Sequence, residues 1–163
     1  MRQTEAVGKF GEYFVTMTLQ NLGYETDRID AAGIDLMAYR KGRSAIERYG
    51  LSVKTRNAYH QPNSNLRLQW NDIVYTHEQA SLRGGIPAYA VVWNTETRMD
   101  VLIMTQEYLL KDRGYESIES FRSANPGEGS VYFRASEKNR DEWIRLYRNH
   151  TPGILYAARY TAE

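Results

Sequence analysis

Gly33-Ile34-Asp35-Leu36-Met37-Ala38-Tyr39-Arg40, a Lys41-Gly42-Arg43 turn and the run Ala45 to Thr55 (AIERYGLSVKT) decide how the chain is read. Both runs mix β-branched and aromatic residues with polar ones at a period near two, and a Gly flanked by basic residues separates them. They predict an antiparallel pair of strands, Ile34 to Arg40 and Ala45 to Thr55. Working back, Tyr24 to Ile29 predicts a strand before the pair. Thr4 is placed to N-cap a helix running to about Leu22, with Gly23 as its left-handed stop. Val7, Phe10, Phe14 and Met17 recur at three- and four-residue steps and predict its buried stripe. Gly8 and Gly11 inside that helix each cost about 1 kcal/mol relative to Ala, which suggests close approach of another element. Glu12 falls on the side of Gly8 and Val15, away from Phe10.

Working forward, the polar stretch Asn57 to Asn65 predicts a loop or flap. A second helix starts at Asn71 or Asp72 and stops at Gly84-Gly85. Pro87 to Asn94 is mostly apolar, as in a strand buried on both faces, and Asp100 to Met104 predicts its neighbour. Thr105 caps a short helix through Lys111. Arg113 to Ser130, rich in Gly and Ser, reads as irregular. Ser136 caps a last helix to about Arg148, with Trp143, Leu146 and Tyr147 inward. The order α-β-β-β-α-β-β-α predicts an α/β fold, one central mixed sheet flanked by helices. At 163 residues a single domain is expected, with a core at about 4–112 and an elaboration at 113–163.

The chain has no Cys, which excludes disulfide scaffolds, zinc fingers and thiol nucleophiles. Met1 to Lys9 has no apolar h-region, and no run approaches the roughly 18 apolar residues of a membrane span. A soluble, cytoplasmic protein with no membrane partner and no organic cofactor is expected. Net charge is +1, but Met37 to Arg67 carries Arg40, Lys41, Arg43, Arg48, Lys54, Arg56 and Arg67 against Glu47 alone, leaving 14 basic and 19 acidic residues elsewhere. Such asymmetry suits a phosphate-binding surface. His60, His77 and His150 have no metal-ligand spacing.

Ser52 and Lys54, two apart on one strand, face the same way. Asp35 enters the neighbouring strand, so Asp35 and Lys54 can converge at one end of the sheet, and Glu12 joins them if the first helix packs on that face. Taken singly, Asp35 reads as a turn residue, Lys54 as a snorkelling lysine and Glu12 as a solvated helix residue. Together they suit phosphodiester hydrolysis, in which a hard cation takes oxygen ligands and a nearby ammonium steadies the reacting water.

Gly11-Glu12, Gly33-Ile34-Asp35-Leu36 and Leu51-Ser52-Val53-Lys54-Thr55 together resemble the PD-(D/E)xK nuclease superfamily, in particular archaeal Holliday-junction resolvases and Mrr-type restriction nucleases. The resemblance spans about Gly8 to Arg56. It implies a restriction-endonuclease-like core and a Mg²⁺-dependent endonuclease (Mn²⁺ as stand-in) acting on DNA, with branched or foreign DNA as its expected substrate, and a homodimer. Asp35 would be the main metal ligand, Glu12 an additional one, the Val53 carbonyl a third, and Lys54 the catalytic lysine. Arg40, Arg43, Arg48 and Arg56 would contact the DNA backbone. Ser52 departs from the pattern, since a hydroxyl stands where Glu, Asp or Gln is usual and would act through water. Glu47, five residues from Ser52, points to the opposite face. Asp72, Glu78 and Asp30 are the other carboxylates within reach, and nothing in the sequence selects among them. The second expectation is a nuclease fold with an inactive site, serving as a DNA-binding or assembly module.

Overall fold

The computed structural model describes residues 3–59 and 65–161. Helix α1 (Gln3–Asn21) leads into strands β1 (Glu25–Ala31), β2 (Ile34–Lys41) and β3 (Ile46–Asn57). A short strand β4 (Leu66–Gln69) runs directly into helix α2 (Trp70–Leu82), followed by β5 (Ile86–Asn94) and β6 (Arg98–Thr105). Helices α3 (Gln106–Asp112) and α4 (Ile118–Ala124), strand β7 (Ser130–Phe133), helix α5 (Glu137–Arg148) and strand β8 (Ile154–Thr161) complete it. Among the described residues the main sheet has the order β1-β2-β3-β5-β6-β8, and β4 pairs with β7 in a separate two-stranded ribbon. β3 and β5 are parallel and the other neighbours antiparallel, so the sheet is mixed and flanked by helices, as the element order predicted. No helix among the described residues is long and apolar enough to cross a membrane.

The two faces of the sheet are covered by different elements. Leu36, Ala38, Leu51, Ala88, Ala90 and Val92 meet Val15 and Leu19 of α1. On the other face Met37 meets Ala80 of α2, and Tyr89, Val91 and Trp93 meet a larger core built with α2, α3, α4, α5 and the ribbon. Gly33 lets α2 sit low on this face. It has φ +94°, and a Cβ there would lie 2.5 Å from the Tyr75 carbonyl carbon.

The buried stripe of α1 differs from the expected one. Gly11, Val15, Thr18 and Leu19 are buried, whereas Phe10 is 46% and Met17 60% exposed. Val7 and Phe14 are half-buried, with Phe14 edge-on to Tyr160 at 5.4 Å. The face is chosen by backbone approach rather than by side-chain size. A Cβ on Gly11 would lie 1.7 Å from Thr55 Oγ1, whereas one on Gly8 would meet nothing within 4 Å. Thr18 tolerates burial because its hydroxyl donates to the Phe14 carbonyl at 2.9 Å. Gly8→Ala is therefore expected to stabilise the protein by up to about 1 kcal/mol, the gain in helix propensity. Gly11→Ala is expected to destabilise it by about 1–3 kcal/mol through overpacking. Chemical denaturation of the two variants checks the opposite signs.

Element limits otherwise shift little. The helix starts at Gln3, so Thr4 lies inside it, and Gly23 has the expected positive φ. Thr105 and Ser136 cap α3 and α5, accepting from the Tyr108 and Asn139 amides. Of the expected Asn57–Asn65 loop, 60–64 lie outside the described residues, and β3 extends to Asn57. The segment expected to be irregular contains α4, capped by Ser117. The C-terminal segment supplies β8, which pairs with β6 and forms an edge of the main sheet.

Candidate active site

At the start of β2, just after the Gly33 turn, the register of β2 with β3 stops at the Leu36–Leu51 pair. Beyond it, Asp35 takes over the edge of β3: its Oδ2 accepts the Val53 amide at 2.6 Å. In an extended strand a residue's N–H and C=O point to the same edge, so the Val53 carbonyl faces the Asp35 side as well. Burial pushes the Asp35 carboxyl above the ordinary carboxylate value. The Val53 N–H and the charges of Lys54 and Arg28 oppose that shift without cancelling it.

Ser52 and Lys54 project to the α2 face, alternating with Leu51 and Val53. Ser52 is 3% exposed and registers with Tyr89. Lys54 Nζ donates to Asp72 Oδ1 at 2.9 Å, both side chains being about one-third exposed. Asp72 sits in the first turn of α2, where its Oδ2 accepts the Gln69 amide at 2.8 Å. That turn is fastened to the β1–β2 turn by Thr76, whose hydroxyl lies 2.7 Å from the Gly33 carbonyl and 2.6 Å from that of Asp72. The fold thus brings Asp35, Val53, Ser52, Lys54 and Asp72 to one end of β2 and β3.

Glu12 does not share that face, because α1 packs on the other side of the sheet. Its carboxylate accepts from Arg28 Nη2 at 2.8 Å. Arg28 in turn acts electrostatically on Asp35, so Glu12 is linked to the site through this arginine. Of the expected DNA-contacting residues, Arg56 is exposed two residues beyond Lys54 on the same face. Arg40 is tied to Glu47 Oε2 at 2.8 Å and lies over the Tyr24 ring at 4.4 Å. It, Arg43 and Arg48 lie toward the hairpin end of the strands; Arg48 is six residues from Lys54, about 20 Å along a strand. Glu47, held by Arg40 and Tyr24, is committed there, and no bulge interrupts the β2–β3 register. Glu78 is paired with Arg122. Sequence reasoning missed Arg28 and could not select Asp72. The one available sign was an acid three residues after Gln69, the spacing of a helix start.

Among the described residues, no three His, Asp or Glu side chains gather into a metal-binding group. The donors at this sheet end are hard oxygens: the half-buried Asp35 carboxylate, whose burial outweighs the charges that oppose it, the Val53 carbonyl, the Ser52 hydroxyl and the Asp72 carboxylate. That set fits a cation which keeps several waters and needs one or two carboxylates, as Mg²⁺ does.

A stability prediction follows from the Asp35 environment in metal-free protein. The folded chain holds the Asp35 proton more tightly than the unfolded chain does. Stability from this group is therefore present at low pH and lost as pH rises through the raised folded value. Asp35→Asn keeps an acceptor for the Val53 amide and carries no charge. In EDTA at pH 7 its melting temperature should equal or exceed that of wild type, with the gap closing as pH falls into the carboxylate range. A clearly lower melting temperature at pH 7 would contradict this account of the site.

No family model and no curated protein matches the chain. Among solved structures, it is similar to Hjc of Archaeoglobus fulgidus, a Holliday junction resolvase from an archaeal hyperthermophile. The two share 16% identity with a TM-score of 0.51 over 81% of this chain and 85% of that one. At this identity the likeness is one of fold: the chain has the α/β, restriction-endonuclease-like architecture of that resolvase, with a central mixed sheet between helices.

Proposed function

We propose that the protein is a metal-dependent endonuclease of the PD-(D/E)xK type, hydrolysing phosphodiester bonds in DNA, with branched or foreign DNA as substrate. The observation that carries the reading is the convergence at one sheet end of Asp35 on the Val53 amide, at 2.6 Å, and Lys54 on Asp72, at 2.9 Å. The fold shared with a Holliday junction resolvase supports it.

Asp35 and the Val53 carbonyl would hold Mg²⁺ or Mn²⁺. Asp72 supplies from α2 the second carboxylate that Ser52 does not. When bound, the cation polarises the phosphate and makes a neighbouring water more acidic. Lys54 orients the attacking water and stabilises charge on the phosphoryl oxygens. The water oxygen bonds to phosphorus, the bond to one sugar oxygen breaks, and that oxygen takes up a proton. Ser52 orients a water beside Asp35. Glu12, held by Arg28, would become a ligand only by leaving that ion pair, and otherwise acts through Arg28. Arg56 contacts the phosphate backbone at the site, while Arg43 and Arg48 extend the basic surface toward the hairpin. A homodimer would cover Phe10, Tyr13 and Met17, which α1 exposes.

A second reading, an inactive DNA-binding module, draws on Ser52, a buried hydroxyl in a carboxylate's place. Incubating the protein with plasmid, linear, single-stranded and four-way-junction DNA, in Mg²⁺, Mn²⁺ or EDTA, separates the two. Cleavage confined to the metal-containing samples is expected. Salt-sensitive binding without cleavage would favour the inactive module, and failure to bind any DNA would defeat both.

A further inference from the structure

The β4–β7 ribbon meets the site described above through the Gln69 amide, and its two faces are sharply different. Leu68, Val131 and Phe133 point inward and are at most 3% exposed, which fixes the ribbon to the core. The outer face carries Arg67 and Gln69 from β4 and Ser130 and Tyr132 from β7, with Asn65 and Arg134 continuing the same alternation. Arg67 registers directly with Tyr132, so the two side chains are cross-strand neighbours. Tyr132 is 45% exposed. Arg113 leans in from the end of α3 and donates to the Tyr132 carbonyl at 2.7 Å, and its Nε is buried without a hydrogen-bond partner among the described residues. Arg113, Arg134, Tyr115, Tyr132 and Asn65 line a cavity of about 370 Å³. Neither ribbon strand contains an acidic residue; Glu128 and Asp112, the latter 3.3 Å from Arg113, border it.

The ribbon leads into the proposed catalytic centre without a break. Gln69 is its last β4 residue, the Gln69 amide donates to Asp72, and Asp72 accepts from Lys54. Four residues of strand span about 13 Å, enough to lie along a short run of one DNA backbone. Guanidinium groups flanking an exposed aromatic ring, beside a cavity, suit a strand whose bases are unstacked; in a duplex the base faces are hidden from such a ring.

We infer that the outer face of this ribbon holds an unpaired DNA strand beside the cleavage site, with Arg67 and Arg134 on its phosphates and Tyr132 stacked on a base. The inference rests on the nuclease reading above and deepens it. It makes unpaired DNA next to the scissile bond the feature that the protein selects.

The test is equilibrium binding in EDTA, which takes catalysis out of the measurement. Fluorescence anisotropy would follow two labelled DNAs, a forked duplex with unpaired arms and the same sequence fully paired. Tyr132→Ala is expected to weaken forked-DNA binding about tenfold, the loss of one stacked base, with little change on paired DNA, and Tyr132→Phe should bind like wild type. Arg67→Ala combined with Arg134→Ala is expected to lower the slope of log affinity against log salt by about 1.4 on the forked DNA. Arg145→Ala, on the exposed face of α5, serves as the unaffected control, and melting curves verify that each variant is folded. Wild-type affinity and slope in the ribbon variants would overturn the inference, as would an equal Tyr132→Ala loss on both DNAs. If wild type binds and cuts DNA while the ribbon variants are unchanged, only the ribbon assignment fails. If wild type binds neither DNA, the nuclease reading itself fails.

Discussion

Lys54→Ala is expected to slow metal-dependent cleavage by about 10²–10³-fold, the usual effect of deleting one preorganised group that stabilises transition-state charge. The Lys54 ammonium is held in place by Asp72 at 2.9 Å, and Asp72 is itself fixed by the Gln69 amide and the helix turn around it. Its position is therefore set before substrate arrives. Junction affinity should change only a few-fold, because one partly buried lysine contributes little to a surface that binds along a backbone. Asp72→Asn should slow cleavage at least as much as Lys54→Ala, since it removes both the counter-charge of the ammonium and the second carboxylate proposed for the cation. Single-turnover rates measured beside binding constants separate the two quantities. A parallel loss of rate and affinity in Lys54→Ala would recast Lys54 as a binding residue.

The largest stability effect is expected two strands from β3, at Asp100 on β6. Asp100 is 2% exposed and accepts Arg140 Nε of α5 at 2.7 Å. It also accepts Arg159 of β8 through Nε at 2.7 Å and Nη2 at 3.1 Å. Arg140 is 1% exposed, and the carboxylate holds the Arg159 guanidinium's proton more tightly than usual, chiefly through that hydrogen bond. Asp100→Ala would leave a buried guanidinium without its counter-charge, at a cost of about 3–5 kcal/mol. For a domain of this size that lowers the melting temperature by about 6–20 °C. Arg145→Ala, which breaks the exposed pair with Glu142, should leave the melting temperature unchanged. Because Asp100 ties α5 and β8 to the sheet, truncation near 112 is expected to destabilise the protein rather than yield a minimal core.

Much of this was legible in the sequence, for identifiable physical reasons. The β2–β3 hairpin carries its own turn and alternation, and α2, α3 and α5 carry caps or glycine stops, so local chemistry predicts them. β4, β7 and β8 are held by partners distant in sequence: Leu66 registers with Phe133 and Arg159 with Asp100. β4 and β7, four residues each, are too short to leave much local pattern. The first helix misled because Phe10 and Met17 are large and regularly spaced, whereas Gly11 over Thr55 decides which face turns inward. The Asp35, Ser52 and Lys54 placements follow from strand alternation, and the structure brings these residues to one sheet end. Arg28 and Asp72 depend on how helices dock across the sheet, which sequence spacing does not encode. The same docking places Glu12 on the opposite face, whereas Arg40 meets Glu47 as its directly registered neighbour across the β2–β3 hairpin.

The most direct test of the central claim is single-turnover cleavage of a four-way-junction DNA in Mg²⁺ and in EDTA, with wild type and Asp35→Asn compared in the same buffer. The account predicts cleavage by wild type in Mg²⁺ alone, and none by Asp35→Asn although it folds and binds the junction. Cleavage in EDTA, or equal cleavage by Asp35→Asn, would contradict it.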